Sequence, residues 1–73
     1  MSWELIRRDG QIEHQWQCHR TKTVSTIVKK NGRFHWSIWR GIDQIARHKK
    51  PPVMANTARR QVLKYLASLP DFP

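Results

Sequence analysis

The sequence predicts an α+β domain: a small antiparallel sheet of two hairpins, about four strands, packed against one C-terminal helix. Three observations carry that expectation. Asp9-Gly10 and Asn31-Gly32 are dipeptides that close two-residue hairpins, and each lies between runs rich in β-branched and aromatic residues. Apolar and polar residues alternate on both sides of each turn, which is the period of a half-buried strand. Beyond Pro51-Pro52 the period lengthens to that of a helix. At 73 residues there is room for one core, so residues 1–73 are read as a single domain.

In the first hairpin, Trp3 to Arg8 and Gln11 to Cys18 flank the Asp9-Gly10 turn. A type I′ turn sets Arg8 opposite Gln11, Leu5 opposite His14 and Trp3 opposite Trp16. One face then holds Trp3, Leu5, Ile12, Trp16 and Cys18, and is expected to be the buried one. The other holds Glu4, Ile6, Arg8, Gln11, Glu13, Gln15 and Gln17.

In the second hairpin, Thr23 to Lys30 and Arg33 to Trp39 flank Asn31-Gly32. Its register puts Lys29 opposite Phe34, Ile27 opposite Trp36 and Ser25 opposite Ile38 on the core side. Trp39, His35, Arg33 and Lys30 fall on the opposite side with Val24 and Val28.

The pattern weakens after Trp39, and Ile42 to His48 fits either a short edge strand or a turn of helix. Arg47 to Pro52 reads as an exposed connection, since two prolines cannot supply ladder donors. Asn56 or Thr57 is the expected N-cap of a helix from Ala58 to Ser68, stopped by Pro70. At ~100° per residue, Ala58, Val62, Tyr65, Leu66 and Leu69 share one stripe, with Leu63 at its margin.

Cys18 is the single cysteine, so no internal disulfide forms and a cytoplasmic setting is expected. Charged residues break any signal-peptide core near the start, and no stretch approaches the ~20 apolar residues of a membrane span. Integral membrane association is therefore not expected. The charge is the unusual property, at +9 with fourteen Lys and Arg against five acids. Between Arg20 and Lys64 twelve cations face one acid, Asp43, so a polyanion is the natural partner.

Sites of other kinds find little support. Cys18-His19 with His14 lacks the cysteine spacing of a structural zinc site, and no metal or other cofactor is expected. Cys18 is read as a small buried thiol among surface histidines. The five acids have no paired-carboxylate spacing, and Gly10, Gly32 and Gly41 are isolated turn glycines rather than a phosphate loop. No enzyme and no small-molecule substrate are expected.

Basic and aromatic residues interleave more informatively. Lys29, Lys30, Arg33, His35, Trp39 and Arg40 surround the second hairpin, offering phosphate contacts and a π surface. Arg47, Lys49 and Lys50 add a basic loop. Arg59 and Arg60 are expected in the first helical turn, where an anion would relieve their conflict with the helix dipole, and Lys64 lies one turn on. These residues describe a nucleic-acid-binding accessory domain, for DNA or RNA. The alternative is a protein-interaction module, an adaptor or inhibitor, that docks its basic face on an acidic protein surface.

The order of strands then helix resembles that of small sheet-plus-helix DNA readers such as the arm-binding domains of phage integrases, in architecture and without a shared motif. The stretch from Thr57 to Leu66 is similar to the last helix of double-stranded RNA-binding domains, whose N-terminal helix has no counterpart here.

Overall fold

The computed structural model describes residues 3–71, apart from the side chain of Arg8. Five strands and one helix follow in order: β1 Glu4–Arg8, β2 Gln11–Cys18, β3 Thr23–Lys30, β4 Arg33–Arg40, β5 Asp43–Arg47 and α1 Ala55–Ala67. The strands form one antiparallel sheet in chain order, β1-β2-β3-β4-β5, with α1 packed on β3 and β4.

Both hairpins close as their turn residues dictate. Asp9 and Gly10 have φ of 50° and 78°, and Asn31 and Gly32 have 52° and 75°. Positive φ at both central positions matches the right-handed twist of the flanking strands. The pairings Arg8 with Gln11, Leu5 with His14, Lys29 with Phe34, and Ile27 with Trp36 follow. Trp3, expected opposite Trp16, precedes the ladder, whose first pair is Glu4 with Gln15. The register of that pair runs on toward Trp3 and Trp16, and Trp3 is half-buried against the core that holds Trp16.

The sheet has five strands where about four were expected, because the segment left open between strand and helix pairs with β4. Its pattern is obscured by a register shift between Ile38 and Trp39, which places adjacent Ile45 and Ala46 both against the core. A bulge of this kind breaks simple alternation. Ile42 sits in the preceding turn and is 93% exposed.

The connection after β5 is tied to the sheet rather than free. Phe34 N–H donates to the Pro52 carbonyl at 2.8 Å, and Arg33 Nη1 donates to the Pro51 carbonyl at 3.1 Å. Proline lacks a donor but keeps its acceptor, so these residues pair with β4 from one side only. This anchoring delivers the chain into α1 early. The helix starts at Ala55, with Met54 at the N-cap position and no side-chain cap, instead of at Ala58 behind Asn56 or Thr57. Arg59 and Arg60 consequently lie in its second turn, not its first.

Trp16, Ile27, Trp36, Ile38, Ala58, Val62 and Leu66 form the core. Ile27, Ile38, Val62 and Leu66 are fully buried, each contributing about 1.5–3 kcal/mol. Phe34, Cys18, Tyr65 and Leu69, expected inside, are half-buried at its rim. Leu5 and Ile12, also expected inside, are 64% and 44% exposed, because α1 does not extend over that part of β1 and β2. At the other end Arg40 pairs with Asp71, and Arg20 Nη2 donates to the Asp71 carbonyl at 2.9 Å, fastening the segment after α1 to the sheet. The Arg40 hydrogen bond holds the Asp71 carboxyl below the usual carboxylate range. No helix among the described residues is long and apolar enough to cross a membrane.

Candidate nucleic-acid interface

One helix covers one face of the sheet and leaves the other open. Three cross-strand rows cross that open face: Ile6, Glu13, Val28 and His35; Glu4, Gln15, Thr26, Ser37 and Arg47; Gln17, Val24, Trp39 and Gln44. The central row is polar throughout, and its hydroxyls are partly tied together. Thr26 Oγ1 and Ser37 Oγ lie 3.0 Å apart, and Trp39 Nε1 donates to Ser37 Oγ at 3.0 Å. That bond lays the indole of Trp39 along the sheet surface, 36% exposed.

A shallow depression on this face is lined by Lys30, His35, Trp39, Gln44, Arg47 and His48, among others, with Glu13 as its one carboxylate among the described residues. The rings of His35 and His48 meet edge to face, 4.7 Å between centroids. Lys30 and Arg47, distant in sequence, thus share a surface because β3, β4 and β5 are consecutive in the sheet.

The strand order also gathers cations at one end. Both hairpin turns and the segment following β5 lie at the same end of the strands in an up-and-down sheet. Arg33 and Lys50 flank one hollow with Pro51, Pro52 and Met54. Lys49 and Lys50 reach a cleft between α1 and β5, floored by Trp36, Ile45 and Ala46. The cations at 30–33 and 47–50 therefore form one continuous rim.

Other residues expected at the interface lie elsewhere. Lys29 is on the helix side of the sheet, its ammonium 5.7 Å from the centroid of the Phe34 ring. Arg40 is engaged by Asp71 and by Thr23 Oγ1 at 3.2 Å. Arg59 Nη2 donates to His14 Nδ1 at 2.6 Å, and its guanidinium lies 5.8 Å from the centroid of the Trp3 ring. His14, expected on the surface, is thereby half-buried, and its pKa is lowered first by burial and then by Arg59. Arg60 and Lys64 are exposed on the outer side of α1, opposite the stripe of Ala58, Val62 and Leu66. The expected placement of both arginines at the helix start is corrected, since the helix begins at Ala55 and Arg59 turns to the sheet.

The structure adds Gln44 and His48 to the open face and joins them to Gln15, Gln17, Thr26 and Ser37, with Thr26 and Ser37 paired on this side as the Asn31-Gly32 register sets them. For Gln15 and Gln17 the outward register already carried the signal. Among the described residues no three His, Cys, Asp or Glu side chains are grouped to hold a metal ion. The chain matches no known protein family, no curated protein and no solved structure.

Proposed function

We propose that this domain binds nucleic acid, DNA or RNA, through the open sheet face and the basic rim at its turn end. The reading rests on one observation above all: on the open face Lys30 and Arg47 share a depression with the exposed Trp39, and Arg33, Lys49 and Lys50 line the neighbouring hollows at its turn end. The rim cations contact phosphates, which position the ligand without reading sequence. The Gln15, Thr26, Ser37 and Arg47 row supplies donors and acceptors for base edges, and Trp39 supplies a stacking surface. Binding rather than catalysis is its role, and the free Cys18 thiol accords with a cytoplasmic setting.

Fluorescence anisotropy with labelled duplex DNA, single-stranded DNA and RNA over a salt series tests the proposal. Log affinity is expected to fall linearly with log salt for at least one of these ligands, with a slope reporting the number of phosphates engaged. Absence of binding to all three at low salt would overturn it and favour an acidic protein surface as the partner of the same cations.

A further inference from the structure

We propose that the helix-side face of the β1–β2 hairpin, opposite the open face, docks an acidic amphipathic segment of a partner protein. Leu5 and Ile12 occupy inward register positions yet stay 64% and 44% exposed. They are diagonal neighbours, since Leu5 pairs with His14 and Ile12 lies two residues before it on β2. The same surface continues through a hollow lined by Gly10, Gln11, Ile12, His14, Lys29 and Phe34. Aliphatic side chains patterned for burial and left uncovered suit an apolar partner.

The charge around them selects its character. Arg7 stands opposite Ile12, Lys29 rims the hollow, and Arg59 reaches over from α1 with no carboxylate partner among the described residues. Its buried Nε has no hydrogen-bond partner. Among the described residues no Asp or Glu lines the hollow. A second copy would bring these cations against their own kind on a chain of net charge +9. A nucleic-acid backbone would satisfy the cations but leave Leu5 and Ile12 without apolar partners. Alternating apolar and acidic side chains satisfy both.

The site is separate from the open face, so its test is independent of nucleic-acid binding. The whole chain is titrated with a synthetic peptide of alternating Leu and Glu, and backbone amide shifts are followed by NMR. Two control peptides replace Leu by Ser or Glu by Lys. The Leu-Glu peptide is expected to shift Leu5, Ile12, Lys29 and Phe34, and to bind at least about tenfold more tightly than either control, a difference of ~1.4 kcal/mol. The Leu5→Ser/Ile12→Ser variant, shown folded by circular dichroism, should lose that preference while keeping wild-type affinity for nucleic acid. Equal binding of the Ser-Glu control, shifts confined to the open face, concentration-dependent self-association abolished by the double variant, or a Leu5- and Ile12-dependent preference for anionic vesicles over the peptide would each overturn the proposal.

Discussion

The two hairpins use the same devices and arrive at different states. β1–β2 and β3–β4 each close on a two-residue turn with positive φ, and each alternates apolar with polar residues. In β3–β4 the inward residues Ile27 and Ile38 are fully buried and Trp36 nearly so. In β1–β2 Trp16 is buried, whereas Leu5 and Ile12 remain in the open. The difference comes from what lies above each strand. A helix is about 10–12 Å across with its side chains, so at ~4.8 Å per strand it spans little more than two strands. α1 packs on β3 and β4, and the large indole of Trp16 reaches under its edge. Alternation assigns a residue to a face, but cover decides whether that face is dry.

The comparison breaks most visibly at Trp36. Its Nε1 donates to Gln61 Oε1 at 2.8 Å beneath α1, so Trp36→Ala removes both packing and a tie between helix and sheet. The expected loss is about 3–5 kcal/mol in chemical denaturation, enough to unfold a domain this small. Trp39, three residues on and facing the other way, should behave oppositely. Trp39→Ala is expected to leave the melting temperature nearly unchanged while weakening single-strand binding by ~1–3 kcal/mol. A destabilised Trp39→Ala protein with normal affinity would make that indole part of the scaffold.

The uncovered half of the sheet should respond weakly. Leu5→Ser and Ile12→Ser are expected to change stability by no more than about 0.5 kcal/mol each, since neither vacates a packed site. Losses as large as that of Ile27→Ala would show that the hairpin is covered in solution. The smallest effect concerns His14, whose folded pKa is lowered by burial and by Arg59. As pH falls through the ordinary value of about 6.5, the unfolded chain takes up a proton that the folded chain resists. Stability should therefore decline toward acid through that window, and the His14→Gln protein should show a shallower decline in denaturation curves collected from neutral to mildly acidic pH.

The α+β class, both turns and most of the ladder register were legible because Asp-Gly and Asn-Gly dictate a local geometry that then propagates along two strands. What escaped depends on long-range pairing. β5 was hidden because its bulge sets Ile45 and Ala46 side by side, so neither a strand nor a helix period emerges. The helix start was misplaced because bonds from β4 to the Pro51 and Pro52 carbonyls, rather than a capping side chain, position it. For the candidate interface, charge identified the cations but not their faces. Lys29 was already set against Phe34 by the hairpin register, whereas Arg40 and Arg59 are drawn to Asp71 and His14, contacts that arise only once the sheet and helix are assembled.

Charge position, separated from total charge, is the most direct test that the open face carries the binding. Lys30→Glu/Arg47→Glu reverses two cations on that face, and Arg60→Glu/Lys64→Glu reverses two on the outer side of α1, with the same change in net charge. Nucleic-acid affinity of the two proteins is measured by anisotropy at one fixed salt concentration, beside the wild type. The open-face variant should lose at least about tenfold more affinity than the helix variant, a difference of ~1.4 kcal/mol. Equal losses would mean that the ligand responds to overall charge alone, and a larger loss in the helix variant would move the interface to the other side of the molecule.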